Sequence, residues 1–172
     1  MFQSKNPYFN QVKEFHAKMD GKTQEFPKAY RVEEAVHRAD FKLEEIVEFL
    51  QATVDNDADF ECIIDKLHED LEKAAKKIRK KGYPRNQLVG QVDALVDLLY
   101  FTYGSFALMG VDPEPIFRIV HEANMGKIFP DGKAHFDPVT HKILKPDDWE
   151  EKYAPEPAIL KELENQLADR KE

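Results

Sequence analysis

The sequence predicts an all-α fold: a bundle of four or five helices, then a turn-rich segment with a small hairpin, then a C-terminal helix. Three observations carry this. Apolar residues recur every three or four positions over long stretches, the period of a helix. Those stretches open on Pro, Asp or Asn and four of the six close on Gly (Gly21, Gly82, Gly110 and Gly126), the residues that start and stop helices. Only the segment after Gly126 changes character, with turn signals at Asp131-Gly132 and Asp137-Pro138.

Asn6-Pro7 starts the first helix, with Pro7 at its first position. Val12, Phe15, His16 and Met19 follow at helical spacing, and Gly21 ends the segment. The second helix is expected after Pro27, where Val32, Val36, Ala39, Leu43, Val47 and Leu50 step by three or four. The polar break 55–59 supplies caps for a third helix, about 59–81, whose seam is Ile64, Leu67, Leu71, Ala74 and Ile78. Glu69/Lys73 and Glu72/Lys76 are i,i+4 pairs on it, and the cations from Lys76 to Lys81 complement its C-terminal dipole. Pro84 and Asn86 open a fourth helix running to Met109-Gly110, and Asp112-Pro113 opens a fifth ending at Gly126. Residues 134–136 and 142–144 suit a short hairpin, and Ile159, Leu160, Leu163 and Leu167 mark a last helix after Pro157.

The length of 172 residues suits one domain, 1–172, with a core over about 9–127 and an extension over 128–172. The formal net charge of −8 disfavours a nucleic-acid duplex as partner, but not a triphosphate, because bound cations reverse a local field. The single cysteine, Cys62, allows no intrachain disulfide and reads as a small buried residue in a reducing cytoplasm. Residues 1–7 hold no apolar run, so no secretory leader is expected. Ala94 to Val111 is nearly all apolar, but a mid-membrane Asp97 would cost about 3 kcal/mol. The expectation is a helix buried on most sides by protein, with no membrane partner.

Two groups of carboxylates stand out. Glu44, Glu45 and Glu48 lie one turn apart, at about 100°, 200° and 140° around the axis from Leu43, opposite the apolar stripe. That sector also holds Phe41 and Ala52, so it reads either as a solvated face or as a partly covered acidic site. Asp93 and Asp97 are i,i+4 within an otherwise apolar helix, on one stripe with Asn86 and Tyr100. Buried, they require neutralisation, either by a cation such as Arg38 or by a metal. An all-oxygen donor set suits Mg²⁺, with Mn²⁺ a substitute, rather than Zn²⁺.

Glu-Glu-x-x-Glu followed by an Asp-Leu-Leu-Tyr helix resembles the metal motif of the MazG-like pyrophosphohydrolases. The ordered segments 100–104, 110–112, 120–127, 131–133 and 144–146 resemble the branch related to phosphoribosyl-ATP pyrophosphohydrolases and all-α dUTPases. The resemblance covers about residues 9–150. It departs at Ala94, where the family motif has Glu three residues before Asp97, and in a longer interval from Glu48 to Asp97, which the third helix accounts for.

The resemblance implies a Mg²⁺-dependent hydrolase that converts a nucleoside triphosphate to monophosphate and pyrophosphate. It implies Glu44, Glu45, Glu48 and Asp97, with Asp93, as metal ligands, and Glu45 and Glu48 as catalytic residues. It implies Asn124 and Lys127 as substrate-binding residues, although both equally suit a helix C-terminus; Lys145, in the turn-rich segment, is a further substrate-binding candidate that could close over phosphates or equally be a surface residue. Homodimer or homotetramer is the expected assembly, since the fourth helix is apolar nearly all round. The other reading is a non-catalytic helical oligomer binding nucleotide or protein, with Ala94 as the mark of a decayed site.

Overall fold

The computed structural model of the chain describes residues 4–19, 21, 23–139 and 142–170. Among them are seven helices: α1 Pro7–Met19, α2 Val32–Gln51, α3 Asp57–Arg79, α4 Gln87–Met109, α5 Pro113–Met125, α6 Trp149–Tyr153 and α7 Glu156–Asp169. The only pairing of extended backbone among the described residues is an isolated antiparallel bridge, Phe136 to Ile143. The all-α class expected from the sequence is therefore the class observed. The chain divides into two compact units, Pro27–Val96 and Met1–Phe26 with Asp97–Glu172, the boundary falling within α4.

In the unit Pro27–Val96, α2 packs on α3. The side chain of Asn56 accepts the backbone N–H of Asp59 at 3.0 Å and caps α3, whose last turn carries Lys76, Lys77 and Arg79. The i,i+4 pairs form, Lys73 to Glu69 at 3.1 Å and Lys76 to Glu72 at 3.5 Å. Helix α2 starts at Val32, later than the sequence reading placed it. The reason is a long-range tie: the N–H of Tyr30 donates to Gln91 Oε1 (2.8 Å), and Gln91 Nε2 donates to the carbonyl of Tyr30 (3.1 Å). Both main-chain groups of Tyr30 are thus engaged, and Arg31 is extended. Glu34 then accepts from the Arg31 N–H at 2.9 Å and closes the first turn.

Cys62 is exposed, contrary to the expectation of burial. It stands about 200° around α3 from Ile64, off the seam that meets α2.

In the other unit, α5 packs between α1 and α7. The Tyr8 and Phe117 rings meet edge to face at 4.9 Å. Asn6 Oδ1 accepts from the N–H groups of Tyr8 and Phe9 at 3.0 and 3.2 Å, as its place before Pro7 predicts. Asp112 caps α5 by accepting the Glu114 N–H at 3.0 Å. A second glutamine clamp holds that turn: the Asp112 N–H donates to Gln166 Oε1 (2.9 Å), and Gln166 Nε2 donates to the Asp112 carbonyl (3.0 Å). The hairpin exists in minimal form, with Asp137 N–H to the Lys142 carbonyl at 2.9 Å and Leu144 N–H to the His135 carbonyl at 2.8 Å. Helix α6 has no counterpart in the sequence reading. Its Trp149, with Ala123 and Met19, is among the buried apolar residues.

Helix α4 ends at Gly110, whose φ of +70° suits glycine, with the Val111 N–H reaching back to the Phe106 carbonyl at 3.0 Å. No residue of α4 is buried within the single chain, so the described residues of this chain do not themselves supply the protein cover that the sequence leads one to expect. Leu108, at 92 % exposed, is the extreme case. By length and composition alone α4 would also cross a membrane. Periodicity had shown that this helix needs cover on nearly every side; the single chain does not supply it.

Candidate functional site

The sequence-predicted residues fall into two sets, and the structure treats them differently. Glu44, Glu45 and Glu48 project from α2 and are exposed, as are Asp93 and Asp97 on α4. Glu44 and Glu48 are one helical turn apart, as are Asp93 and Asp97. Among the described residues, no three His, Cys, Asp or Glu side chains of the single chain converge into a ready-made metal cage. Exposed apolar side chains surround these carboxylates: Phe41, Ile46 and Phe49 on α2, and Val92, Val96 and Tyr100 on α4. Arg38 lies 5.7 Å from the centre of the Phe41 ring.

The second set is brought together. Asn124 and Lys127 lie on and just past the last turn of α5, and the Lys127 ammonium donates to Asn124 Oδ1 at 2.8 Å. Lys145 sits on the face of the Trp149 indole, 3.8 Å from the ring centre, and Lys127 is 5.9 Å from the same centre. Lys145 also pairs with Glu150 at 2.8 Å, an exposed contact. The ring that organises these groups is fixed: Trp149 is 5 % exposed, and its Nε1–H donates to the Ala123 carbonyl at 2.9 Å. Gly126 is buried under Tyr153, and a Cβ there would come within 2.5 Å of that ring. Helix α6 is therefore pinned to the end of α5 at both of its ends.

Beside this cluster, residues 129–135 form a compact turn. Phe129 stacks on His135 with ring centres 4.2 Å apart, and His135 bonds Asp131 at 2.8 Å. That bond, with the Lys133 N–H, holds the Asp131 carboxyl below its usual range.

Two lysine ammoniums, an amide and an aromatic floor form a surface suited to phosphate oxygens, because lysine acts as a compact point charge with several donors. Sequence reasoning found three of the four residues and missed Trp149. The signal available was that the chain's only tryptophan follows Lys145 at a distance of four residues.

The family described as phosphoribosyl-ATP pyrophosphohydrolase matches residues 12–124, more than half of the chain. That stretch includes all five carboxylates and Asn124, whereas Lys127, Lys145 and Trp149 lie beyond it. A solved structure from Exiguobacterium sp. 255-15, described as a candidate NTP pyrophosphohydrolase, is 37 % identical. The alignment covers 97 % of this chain and 99 % of that one, with a TM-score of 0.85. No curated protein matches the chain significantly.

Proposed function

This chain belongs to the phosphoribosyl-ATP pyrophosphohydrolase family, and from that premise we propose that it is a Mg²⁺-dependent nucleoside-triphosphate pyrophosphohydrolase that releases monophosphate and pyrophosphate. It is a hydrolase of phosphoanhydride bonds. The observation that carries the finer reading is that one chain holds both an all-carboxylate set on α2 and α4 and, separately, a two-lysine cluster at the end of α5.

The donor chemistry fits Mg²⁺, and Mn²⁺ as a substitute, since every candidate ligand is a carboxylate oxygen. Glu44, Glu45, Glu48 and Asp97, with Asp93, would hold it; the single chain gathers no three of them, so the reading ties metal binding to an assembled form. When bound, the ion supplies charge neutralisation at phosphate oxygens and acidifies water. The chain's own residues do the rest. Glu45 or Glu48 accepts the proton of the attacking water. A water oxygen bonds to the α-phosphorus, the bond from that phosphorus to the bridging oxygen breaks, and pyrophosphate leaves with the electron pair. Asn124, Lys127 and Lys145 bind phosphate or sugar and orient the chain for attack.

The assembled form is a homodimer or homotetramer in a reducing cytoplasm, with a second copy covering α4. Its support is a 23-residue helix with no buried residue and two aspartates that a bilayer would reject. The non-catalytic alternative draws on Ala94 and on the ungathered carboxylates.

One assay separates the two: pyrophosphate release from a panel of common and modified nucleotides, with and without Mg²⁺. Turnover of at least one nucleotide is expected; none under either Mg²⁺ or Mn²⁺ rejects the enzyme.

A further inference from the structure

We propose that Trp149 is a positioning residue that holds Lys127 and Lys145 together as a binding site for the polyphosphate chain, a proposal that rests on the function argued above. Tryptophan offers the strongest cation-binding face of the aromatic side chains. Here one ring serves two ammoniums, at 3.8 and 5.9 Å from its centre. The lysines come from different segments, one just past α5 and the other in the turn-rich stretch before α6. An exposed ion pair such as Lys145–Glu150 holds a lysine only weakly. The buried indole gives the arrangement its fixed point, because its N–H is bonded to the Ala123 carbonyl one residue before Asn124.

The charges around the ring are arranged for an anion. One ring centre lies 3.8 Å from the Lys145 ammonium and 5.9 Å from that of Lys127, and their contacts include the exposed Glu150 for Lys145 and the Asn124 side-chain carbonyl for Lys127. A polyphosphate brings several negative oxygens, bonds both ammoniums, and displaces Glu150 from Lys145. The ring face remains as the floor. Trp149 acts through the lysines, without touching the reacting phosphorus.

The experiment is calorimetric titration with inorganic pyrophosphate in metal-free buffer, so that the carboxylates of α2 and α4 add no metal-bridged affinity. The proteins are wild type, Lys145→Ala, Trp149→Leu, Trp149→Phe and the double variants of each Trp149 change with Lys145→Ala, all checked for native circular dichroism. Lys145→Ala should weaken binding about tenfold or more, the loss of a bond to a charged group. Trp149→Leu should do the same, and the double variant should be no weaker than either single one, because contacting residues do not add. Trp149→Phe, which keeps a ring face and loses only the N–H, should recover much of the affinity. If Trp149→Leu does not fold, the Trp149→Phe cycle decides: weaker binding than wild type for Trp149→Phe, with no further loss when it is combined with Lys145→Ala, supports the proposal, and wild-type affinity or an additive loss overturns it.

Wild-type affinity in folded Trp149→Leu, or additive losses in the double variants, overturns it. Failure of the wild type to bind pyrophosphate overturns the site altogether, while the hydrolase reading is judged separately by pyrophosphate release.

Discussion

A charge placed on α4 should take the assembly apart. Phe101 is 70 % exposed in the single chain, so a covering copy has most of its ring left to bury. Fully burying a phenylalanine side chain stabilises by roughly 1.5–3 kcal/mol, which leaves about 1–2 kcal/mol per copy at this position. In a two-fold interface the change occurs twice, doubling the loss. Phe101→Glu adds the cost of desolvating a carboxylate, several kcal/mol per ion even after relaxation. The total is at least about 6 kcal/mol, or roughly four powers of ten in dissociation constant. A nanomolar dimer would then be a monomer at micromolar concentration. Sedimentation equilibrium of wild type and Phe101→Glu, with circular dichroism to confirm the fold, reads this directly. Wild type sedimenting at 20.0 kDa at micromolar concentration refutes the reasoning, and so does an undiminished oligomer in the variant. Partition of wild type into lipid vesicles, lost in Phe101→Glu, would show instead that a bilayer covers α4.

Glu48→Gln should abolish nucleotide hydrolysis while the metal-free melting temperature holds or rises, since it removes one charge from an acidic group. A fall of many degrees would make Glu48 a structural ion-pair partner. Asp93→Asn should weaken the apparent Mg²⁺ affinity of hydrolysis by about 10- to 100-fold, as for a residue that supports a ligand. An unchanged Mg²⁺ curve removes Asp93 from the site. Gly126→Ala should force the Tyr153 ring aside, destabilise by about 1–3 kcal/mol as overpacking does, and raise KM through the displaced α6. Unaltered melting and KM would show that α6 is not coupled to the lysines.

What was legible in the sequence was what is local. Caps at Asn6, Asn56 and Asp112 and the stop at Gly110 are settled by bonds within a few residues, and these helix ends were readable. The start of α2 was not, because it depends on Gln91, 61 residues away. Helix α6 escaped because five residues carry no measurable period, and a tertiary bond from Trp149 to Ala123 holds it. Periodicity located the apolar seam of α3 and places Cys62 behind it; the expectation of burial came from the residue type, which the exposed position overrides. On α4 it identified surface that must be covered without identifying the cover. The candidate site divides along the same line. Carboxylate spacing on α2 and α4 and the Asn124–Lys127 pair follow from helical geometry. The convergence of Lys145 and Lys127 on one indole depends on folding across the turn-rich segment, which no spacing encodes.

Hydrolysis in heavy-oxygen water tests the central claim most directly, followed by phosphorus NMR and mass spectrometry of both products. Attack of water at the α-phosphorus predicts one monophosphate and one pyrophosphate per turnover, in a Mg²⁺-dependent reaction, with the heavy oxygen in the monophosphate alone. Label in the pyrophosphate, or release of orthophosphate and a diphosphate, would contradict it.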